Sequence, residues 1–101
     1  MKLLYQTPEV AKLCTNNREA TKVLGDVCVK YLRRRIKQVE SAIAIDDLFQ
    51  GPGNWHPLKG DRKGEFAASL QGGWRLIVTF DSSSPNGLIA RLESIEDYHD
   101  G

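Results

Sequence analysis

The spacing at which apolar residues recur changes at residues 51–53 (GPG), and this change constrains the fold more than any other feature of the sequence. Upstream, apolar side chains recur at spacings of four, four, three and four, which predicts one face of an amphipathic helix. These residues are Cys28, Leu32, Ile36, Val39 and Ile43. Downstream, apolar residues alternate with a period of two, which predicts β-strands.

The strand region is predicted to form a three-stranded meander. Phe66, Ala68 and Leu70 alternate in the first strand, and the glycine pair at residues 72–73 indicates a hairpin turn. The next strand has an apolar face made of Trp74, Leu76, Val78 and Phe80. A turn signal, DSSSPNG, then precedes a third strand with the same pattern, carried by Leu88, Ala90 and Leu92.

The region before residue 51 is predicted to hold a short strand and two helices. Residues 2–6 form the strand, and Pro8 suits the first turn of a helix that runs to about Leu24. Residues 15–17 (TNN) are expected to bend or interrupt it, and Gly25 to end it. Asp26 is the expected N-cap of the second helix, and Asp46 and Asp47 are expected to begin the loop that follows it. The predicted fold class is therefore α+β, with two helices packed on one face of a mainly antiparallel sheet.

Length and charge limit the possible functions. A chain of 101 residues is expected to form a single domain spanning residues 1–101. The net charge of +1 argues against a uniformly basic nucleic-acid binder, but residues 30–37 and 59–63 form two local basic clusters. The first cluster is interpreted mainly as a solvated helix face, with contact to RNA or to an acidic partner segment as alternatives.

Several classes of site and location are not indicated. Cys14 and Cys28 have neither disulfide-framework nor zinc-site spacing, and both are expected to be buried, reduced thiols. The start MKLLYQTPEV does not develop the apolar core of a signal peptide, and no run is long enough to cross a bilayer. A cytoplasmic protein is therefore expected. No nucleotide-binding glycine motif or metal-ligand spacing is present.

The residues suited to chemistry lie at the edge and on the outer face of the predicted sheet. If the apolar strand residues face the helices, strict alternation places Arg75, Arg91, Glu93 and Ile95 on the opposite face. Continued along the last strand, the same alternation places Asp97 and His99 on that face too. The polar stretch HPLKGDRKGEF (residues 56–66) precedes the first meander strand, and Gly60 and Gly64 would allow it to turn.

Two histidines with nearby cations suit cleavage of a phosphodiester without a metal. One group must deprotonate a ribose 2′-hydroxyl, another must protonate the leaving 5′-oxygen, and cations must stabilise the charge that develops on phosphorus. His56, His99, Lys59 and Arg75 have the required chemistry, Tyr98 could stack on a base, and Asp97 could orient the site. On the residues alone, each of them could instead be an ordinary surface or structural residue.

The segments HPLKGDRKGEF, GGWRLIVTF and IEDYH, in this order, resemble the HigB branch of the RelE/ParE toxin superfamily. The resemblance is strong over residues 47–99 and looser over the helices. It implies a RelE-like fold and a type II toxin that cleaves mRNA in the ribosomal A site. It also implies an inhibiting HigA-like antitoxin with a helix-turn-helix domain.

The family's site residues match this sequence at His56, Lys59, Arg75, Asp97, Tyr98 and His99. The resemblance implies metal-independent cleavage that leaves a 2′,3′-cyclic phosphate, with no cofactor. Arg62 and Lys63 are expected to contact the RNA backbone. A ParE-like inhibitor of DNA gyrase and a nontoxic RNA-binding regulator remain alternatives on the same fold.

Overall fold

The computed structural model describes residues 1–83 and 87–97 and has an α+β architecture. The helices are α1 (Pro8–Thr15), α2 (Asn17–Leu24), α3 (Asp26–Ser41) and α4 (Ile45–Phe49). The strands are β1 (Lys2–Tyr5), β2 (His56–Pro57), β3 (Phe66–Ser69), β4 (Trp74–Asp81) and β5 (Ile89–Asp97). A 3₁₀ turn, Gly60–Arg62, lies between β2 and β3. No helix among the described residues is long and apolar enough to span a membrane.

The five strands form one sheet in the order β1-β5-β4-β3-β2. The first strand pairs with β5 in parallel, and the other three pairings are antiparallel. The helices bury their apolar faces against one side of this sheet, and Leu32, Val39, Leu76 and Leu92 are fully buried in the shared core. The predicted fold class is confirmed. The side of the sheet that faces away from the helices is called the open face below.

The predicted first helix is two helices, because Asn16 ends one and begins the next. Its backbone N–H donates to the carbonyl of Lys12 at 2.9 Å, and its side-chain oxygen accepts a hydrogen bond from the Glu19 N–H at 3.2 Å. The expected interruption at residues 15–17 is thereby confirmed. The expected N-cap of the next helix is wrong, since Gly25, with φ of 84°, is the cap and Asp26 is the first residue of α3.

Two expectations for the end of the long helix are also wrong. Ile43 was placed on the apolar helix face, but α3 ends at Ser41 and Ile43 is 88% exposed. A carboxylate oxygen of Asp47 accepts hydrogen bonds from the N–H groups of Ile43 and Ala44, which turns the chain into α4. These bonds hold the pKa of Asp47 below its ordinary value. The segment from Asp46 therefore continues as a short helix, where a loop was expected.

A β-bulge in β5 changes which residues face the helices. Val78 pairs with Leu92 but Ile77 pairs with Ser94, so Glu93 is an extra residue in its strand. Beyond the bulge, Ile95 lies opposite Leu76 and packs against the core. The prediction that Ile95 lies on the open face is therefore wrong.

One cationic side chain of the basic cluster is buried, whereas the cluster was interpreted mainly as a solvated face. Arg35 is 7% exposed, and its Nε donates to the carbonyl of Ser69 at 3.1 Å. Burial lowers the pKa of this guanidinium. Arg35 packs against Gly53, whose φ is 108° and whose carbonyl accepts from the Ser69 N–H at 2.7 Å. The glycine thus permits a close approach of α3, β3 and the chain entering β2.

Replacing Gly53 with alanine is expected to destabilise the fold. A Cβ atom there would lie 2.6 Å from Arg35 Nε, and the backbone already has a φ that alanine disfavours. The combined cost is about 3 kcal/mol in the free energy of unfolding, measured by urea denaturation. Gly64→Ala is the matched control, because Gly64 has φ of 99° and its Cβ would meet no atom within 4 Å. Equal losses for the two variants would contradict the packing argument.

Candidate functional site

The polar stretch at residues 56–66 is the connection between β2 and β3, and its first two residues are themselves a strand. His56 pairs with Ala67, Pro57 pairs with Phe66, and the N–H of Leu58 donates to the carbonyl of Glu65 at 2.8 Å. Phe66, expected in the core, is partly buried at its margin, with its ring edge-to-face with those of Phe49 and Phe80. The loop is therefore closed at its base.

His56 is held in one orientation by a backbone contact. Its Nδ1 lies 2.9 Å from the carbonyl oxygen of Asn54, a residue with φ of 50°. Because a carbonyl oxygen only accepts hydrogen bonds, Nδ1 carries the proton in this contact. In the neutral ring, Nε2 is then the nitrogen that can accept a proton.

The loop places two exposed lysines on either side of the 3₁₀ turn. The Lys59 carbonyl accepts from the Arg62 N–H at 3.3 Å, and the Lys63 N–H donates to the carbonyl of Gly60 at 3.2 Å. Gly60 and Gly64 have φ of 68° and 99°, which confirms their predicted role in turning the chain. Both lysine side chains are thus carried by a compact turn that leaves them accessible.

The strand register brings His56 and Arg75 to the same face. His56, Ala67, Ile77 and Ser94 lie in one row across four strands, and Ser69, Arg75 and Glu96 lie in the next. Sheet spacings place the Cα atoms of His56 and Arg75 about 12 Å apart, which leaves room between their side chains for a phosphodiester group. The predicted open-face position of Arg75 is confirmed.

Arg75 is partly buried and anchored through one nitrogen. Its Nη1 donates to the carbonyls of Gly72 and Trp74 at 3.2 and 3.0 Å. Among the described residues, its Nε and Nη2 have no hydrogen-bond partner. The guanidinium is therefore oriented by the β3–β4 turn and retains donors for an anion.

Arg62 is engaged by two carboxylates on the open face. Its Nη1 and Nη2 bind the two oxygens of Glu96, each at 2.7 Å, and its Nη2 also binds Glu65 at 2.7 Å. Ser94 donates to the Glu96 carboxylate at 2.5 Å. A phosphate could bind Arg62 only by competing with these groups. The sequence interpretation missed Glu65 and Glu96; the three-residue spacing between Arg62 and Glu65 was the available signal.

Asp97 ends β5 on the side of the sheet that faces the helices. It is exposed and lies opposite Trp74, so its predicted open-face position is wrong. Cys28, fully buried near the start of α3, has a raised pKa because of burial, and the charge of Asp97 adds to this rise. The remaining predicted site residues, Tyr98 and His99, lie outside the described residues, as does part of the DSSSPNG turn.

A groove of about 580 Å³ lies on the helical side, away from these residues. Its lining includes Tyr5, Cys14 and Arg33. Arg33 donates to the carbonyls of Cys14 and Leu13 and to the Asn17 side chain, which caps the end of α1. Burial raises the pKa of the Cys14 thiol to about 11, although the Arg33 charge acts to lower it. Both cysteines are buried and free, as predicted.

The described side chains can act on an anion in defined ways. An oriented imidazole (His56) and an anchored guanidinium (Arg75) lie on the same face of the sheet, and an exposed ammonium (Lys59) is carried by the loop that follows β2. Such groups can transfer a proton and stabilise negative charge on a phosphate. Within residues 1–83 and 87–97, no group of three or more His, Cys, Asp or Glu side chains is arranged to hold a metal ion.

Comparisons with known proteins are consistent with the sequence resemblance. No protein-family model matches the chain. The toxin "YoeB/ParE toxin from Agrobacterium tumefaciens" shares the fold, with a TM-score of 0.67 and 18% identity over 98% of this chain and all of that one. The YoeB-YefM complex from Staphylococcus aureus contains a chain with a TM-score of 0.61 and 17% identity, covering 98% and 97% of the two chains.

A curated relative gives the closer sequence relationship. The Endoribonuclease HigB of Proteus vulgaris is 30% identical over 71 residues, which cover 70% of this chain and 72% of the relative. This match and the shared fold agree with the three motifs in HPLKGDRKGEF, GGWRLIVTF and IEDYH. The chain therefore belongs to the HigB family of RelE/ParE-type toxins of toxin–antitoxin systems.

Proposed function

We propose that this chain is an mRNA endoribonuclease that acts on the ribosome and thereby inhibits translation. The observation that carries the proposal is that His56 and Arg75 share the open face, with Lys59 exposed in the adjoining loop that carries the family motif. The relative from Proteus vulgaris carries the name Endoribonuclease HigB. The proposed substrate is mRNA in the ribosomal A site.

The proposed reaction is metal-independent attack by the ribose 2′-hydroxyl on the adjacent phosphorus. One histidine removes the hydroxyl proton, the P–O5′ bond breaks, and the other histidine protonates the departing oxygen. We assign His99 the leading proton-transfer role and His56 the complementary one, following the family motif. The products are a 2′,3′-cyclic phosphate and a 5′-hydroxyl.

The other site residues are assigned roles that fit their positions and chemistry. Lys59 and Arg75 stabilise the charge on the pentacoordinate phosphorus. Tyr98 stacks on or hydrogen-bonds to a base, and Asp97, at the exposed end of β5, orients the chain that follows it. Lys63 contacts the RNA backbone. Arg62 was expected to do the same, but its pairing with Glu65 and Glu96 calls for a different role.

The proposed partners are the ribosome and a HigA-like helix-turn-helix antitoxin, and the proposed location is the cytoplasm. The structural neighbour from Staphylococcus aureus is described as a complex with YefM. Lys30, Arg34 and Lys37 are exposed on α3 and offer positive charge to an acidic antitoxin segment or to ribosomal RNA. Because the net charge is only +1, ribosome contacts would have to come from α3 and the β2–β3 loop, and binding is expected to be weak or salt-sensitive.

Expression of the chain without an antitoxin tests the proposed function. Growth arrest is expected together with cuts inside translated messages, mapped by sequencing of 5′ ends. Cleavage should disappear when translation initiation on the same message is blocked, which serves as the matched control. Inhibition of DNA supercoiling without RNA cuts would instead identify a ParE-like gyrase inhibitor. RNA binding with neither effect would identify a nontoxic regulator.

A further inference from the structure

Glu96 lies between two arginines on the open face and binds only one of them in the structure. In the strand register Glu96 is directly opposite Arg75. Side chains at such positions share a face of the sheet and are close enough to form a cross-strand pair. Yet its two oxygens bind Arg62, at 2.7 Å each, and the Arg75 Nη1 is turned to the carbonyls of Gly72 and Trp74. No ion pair joins Arg75 to Glu96 among the described residues.

The binding of Glu96 by Arg62 is geometrically well defined. Two parallel N–H···O bonds form a bidentate pair, the strongest arrangement of an arginine and a carboxylate. Glu65 and Ser94 add further hydrogen bonds, and the three charged side chains are only 27–33% exposed. An isolated surface ion pair contributes little, but a bidentate, partly buried network is the recognised exception.

The network also fixes where the Glu96 carboxylate points. Glu65 precedes β3, whose first residue pairs with Val78, whereas Glu96 pairs with Arg75 near the other end of β4. The Arg62 guanidinium therefore bridges the open face across Ile77, which lies between those positions and is fully buried. This draws the Glu96 carboxylate toward β3 and away from the turn that anchors Arg75.

We propose that Arg62 is a positioning residue that holds the Glu96 carboxylate away from Arg75, so that the Arg75 guanidinium stays available for the phosphate. Without Arg62, Glu96 forms the cross-strand pair with Arg75 and competes with the substrate. This inference rests on the proposed RNA-cleaving function for its kinetic consequence. Its structural part, the exchange of partners by Glu96, concerns the toxin alone.

The kinetic test uses a pair of substitutions that should compensate each other. In single-turnover cleavage on mRNA-programmed ribosomes, Arg62→Ala is expected to lower the maximal rate roughly 10- to 100-fold, because Glu96 then occupies the Arg75 donors that would stabilise charge on the phosphate. Arg62→Lys should lose less, because an ammonium still binds Glu96. Glu96→Ala should stay within a few-fold of wild type, and Arg62→Ala with Glu96→Ala should recover most of the lost rate.

A second carboxylate on the same strand provides the matched control. Glu93 accepts a hydrogen bond from Thr79 at 2.7 Å and does not lie opposite Arg75, so adding Glu93→Ala to Arg62→Ala should restore nothing. If Arg62 binds RNA directly, Arg62→Ala will raise the toxin concentration for half-maximal rate and Glu96→Ala will not rescue it. If the pair is only a structural brace, Glu96→Ala will be as impaired as Arg62→Ala. Either result overturns the inference.

A spectroscopic measurement separates this inference from the proposed function. The NMR resonance of the Arg75 Nε–Hε group in the free toxin should shift in Arg62→Ala, and should return toward the wild-type position when Glu96→Ala is added. If the chain cleaves no RNA but shows this shift and its reversal, the proposed function is wrong and the exchange of partners by Glu96 still holds. An unchanged Arg75 resonance in folded Arg62→Ala protein would disprove the exchange itself.

Discussion

Replacing either His56 or His99 with alanine is expected to slow RNA cleavage on the ribosome by on the order of 10² to 10⁴, the usual contribution of a general acid or base. His56 already has its Nδ1 committed to the carbonyl of Asn54, so Nε2 is the nitrogen positioned to exchange a proton. His99 is assigned the corresponding role on the other oxygen through the terminal family motif. With both histidines replaced, only water would remain to accept the 2′-hydroxyl proton and to protonate the leaving oxygen.

Single-turnover rates at saturating toxin, measured across pH, would test this expectation. If the two histidines work as acid and base, each single variant loses one limb of a bell-shaped rate profile, and the two lose opposite limbs. Thr79→Val is the control, because Thr79 lies on the same face and its known bond is to Glu93. A His56 variant that keeps the wild-type rate with an unchanged profile would remove His56 from the mechanism.

The architecture could be predicted from the sequence because its signals are local and periodic. The change from helical to alternating spacing at residues 51–53 separates the helices from the meander, and the glycine pair at residues 72–73 sets the β3–β4 hairpin. Asn16 is a residue type that can end one helix and cap the next, so the break between α1 and α2 could be predicted. Each of these signals involves only a few neighbouring residues.

The bulge in β5 escaped prediction because strict alternation was assumed along the strand. Leu92 and Ile95 are both core residues, and their spacing of three, where a strand would give two, was the signal of an extra residue. A one-residue bulge moves every later side chain to the other face. This is why Arg75 was placed correctly on the open face, whereas Ile95 and Asp97 were not.

Charged groups were the least predictable part of the site, because their roles depend on partners distant in sequence. The sequence suggests that Arg35 is one more cation of a basic helix, but it is buried, with its guanidinium donating to the carbonyl of Ser69. The sequence suggests that Arg62 contacts phosphate, but it binds Glu96, which lies 34 residues later in the chain. Residue type identifies what a side chain can do, whereas the fold determines which partner it meets.

Replacing Lys59 or Arg75 with alanine is expected to lower the cleavage rate by about 10² to 10³, since each supplies charge to the developing phosphorane. Arg75 should tolerate a change in side-chain shape less well than Lys59. Its guanidinium is anchored at Nη1 by two carbonyls and can offer further donors to a phosphate, which an ammonium cannot reproduce in that geometry. Arg75→Lys should therefore recover little, whereas Lys59→Arg, on an exposed turn, should recover more.

Arg91 is the matched control for Arg75. It is exposed on the same face of the sheet, opposite Thr79, but its strand lies three strands from β2, so it is farther from His56 than Arg75 is. Arg91→Ala removes the same charge from the molecule and should leave the maximal rate within a few-fold of wild type, while lowering ribosome affinity slightly through the loss of long-range attraction. If Arg91→Ala and Arg75→Ala lower the maximal rate equally, Arg75 contributes only to the overall positive charge. A loss confined to Arg75→Ala places its guanidinium at the reacting phosphate.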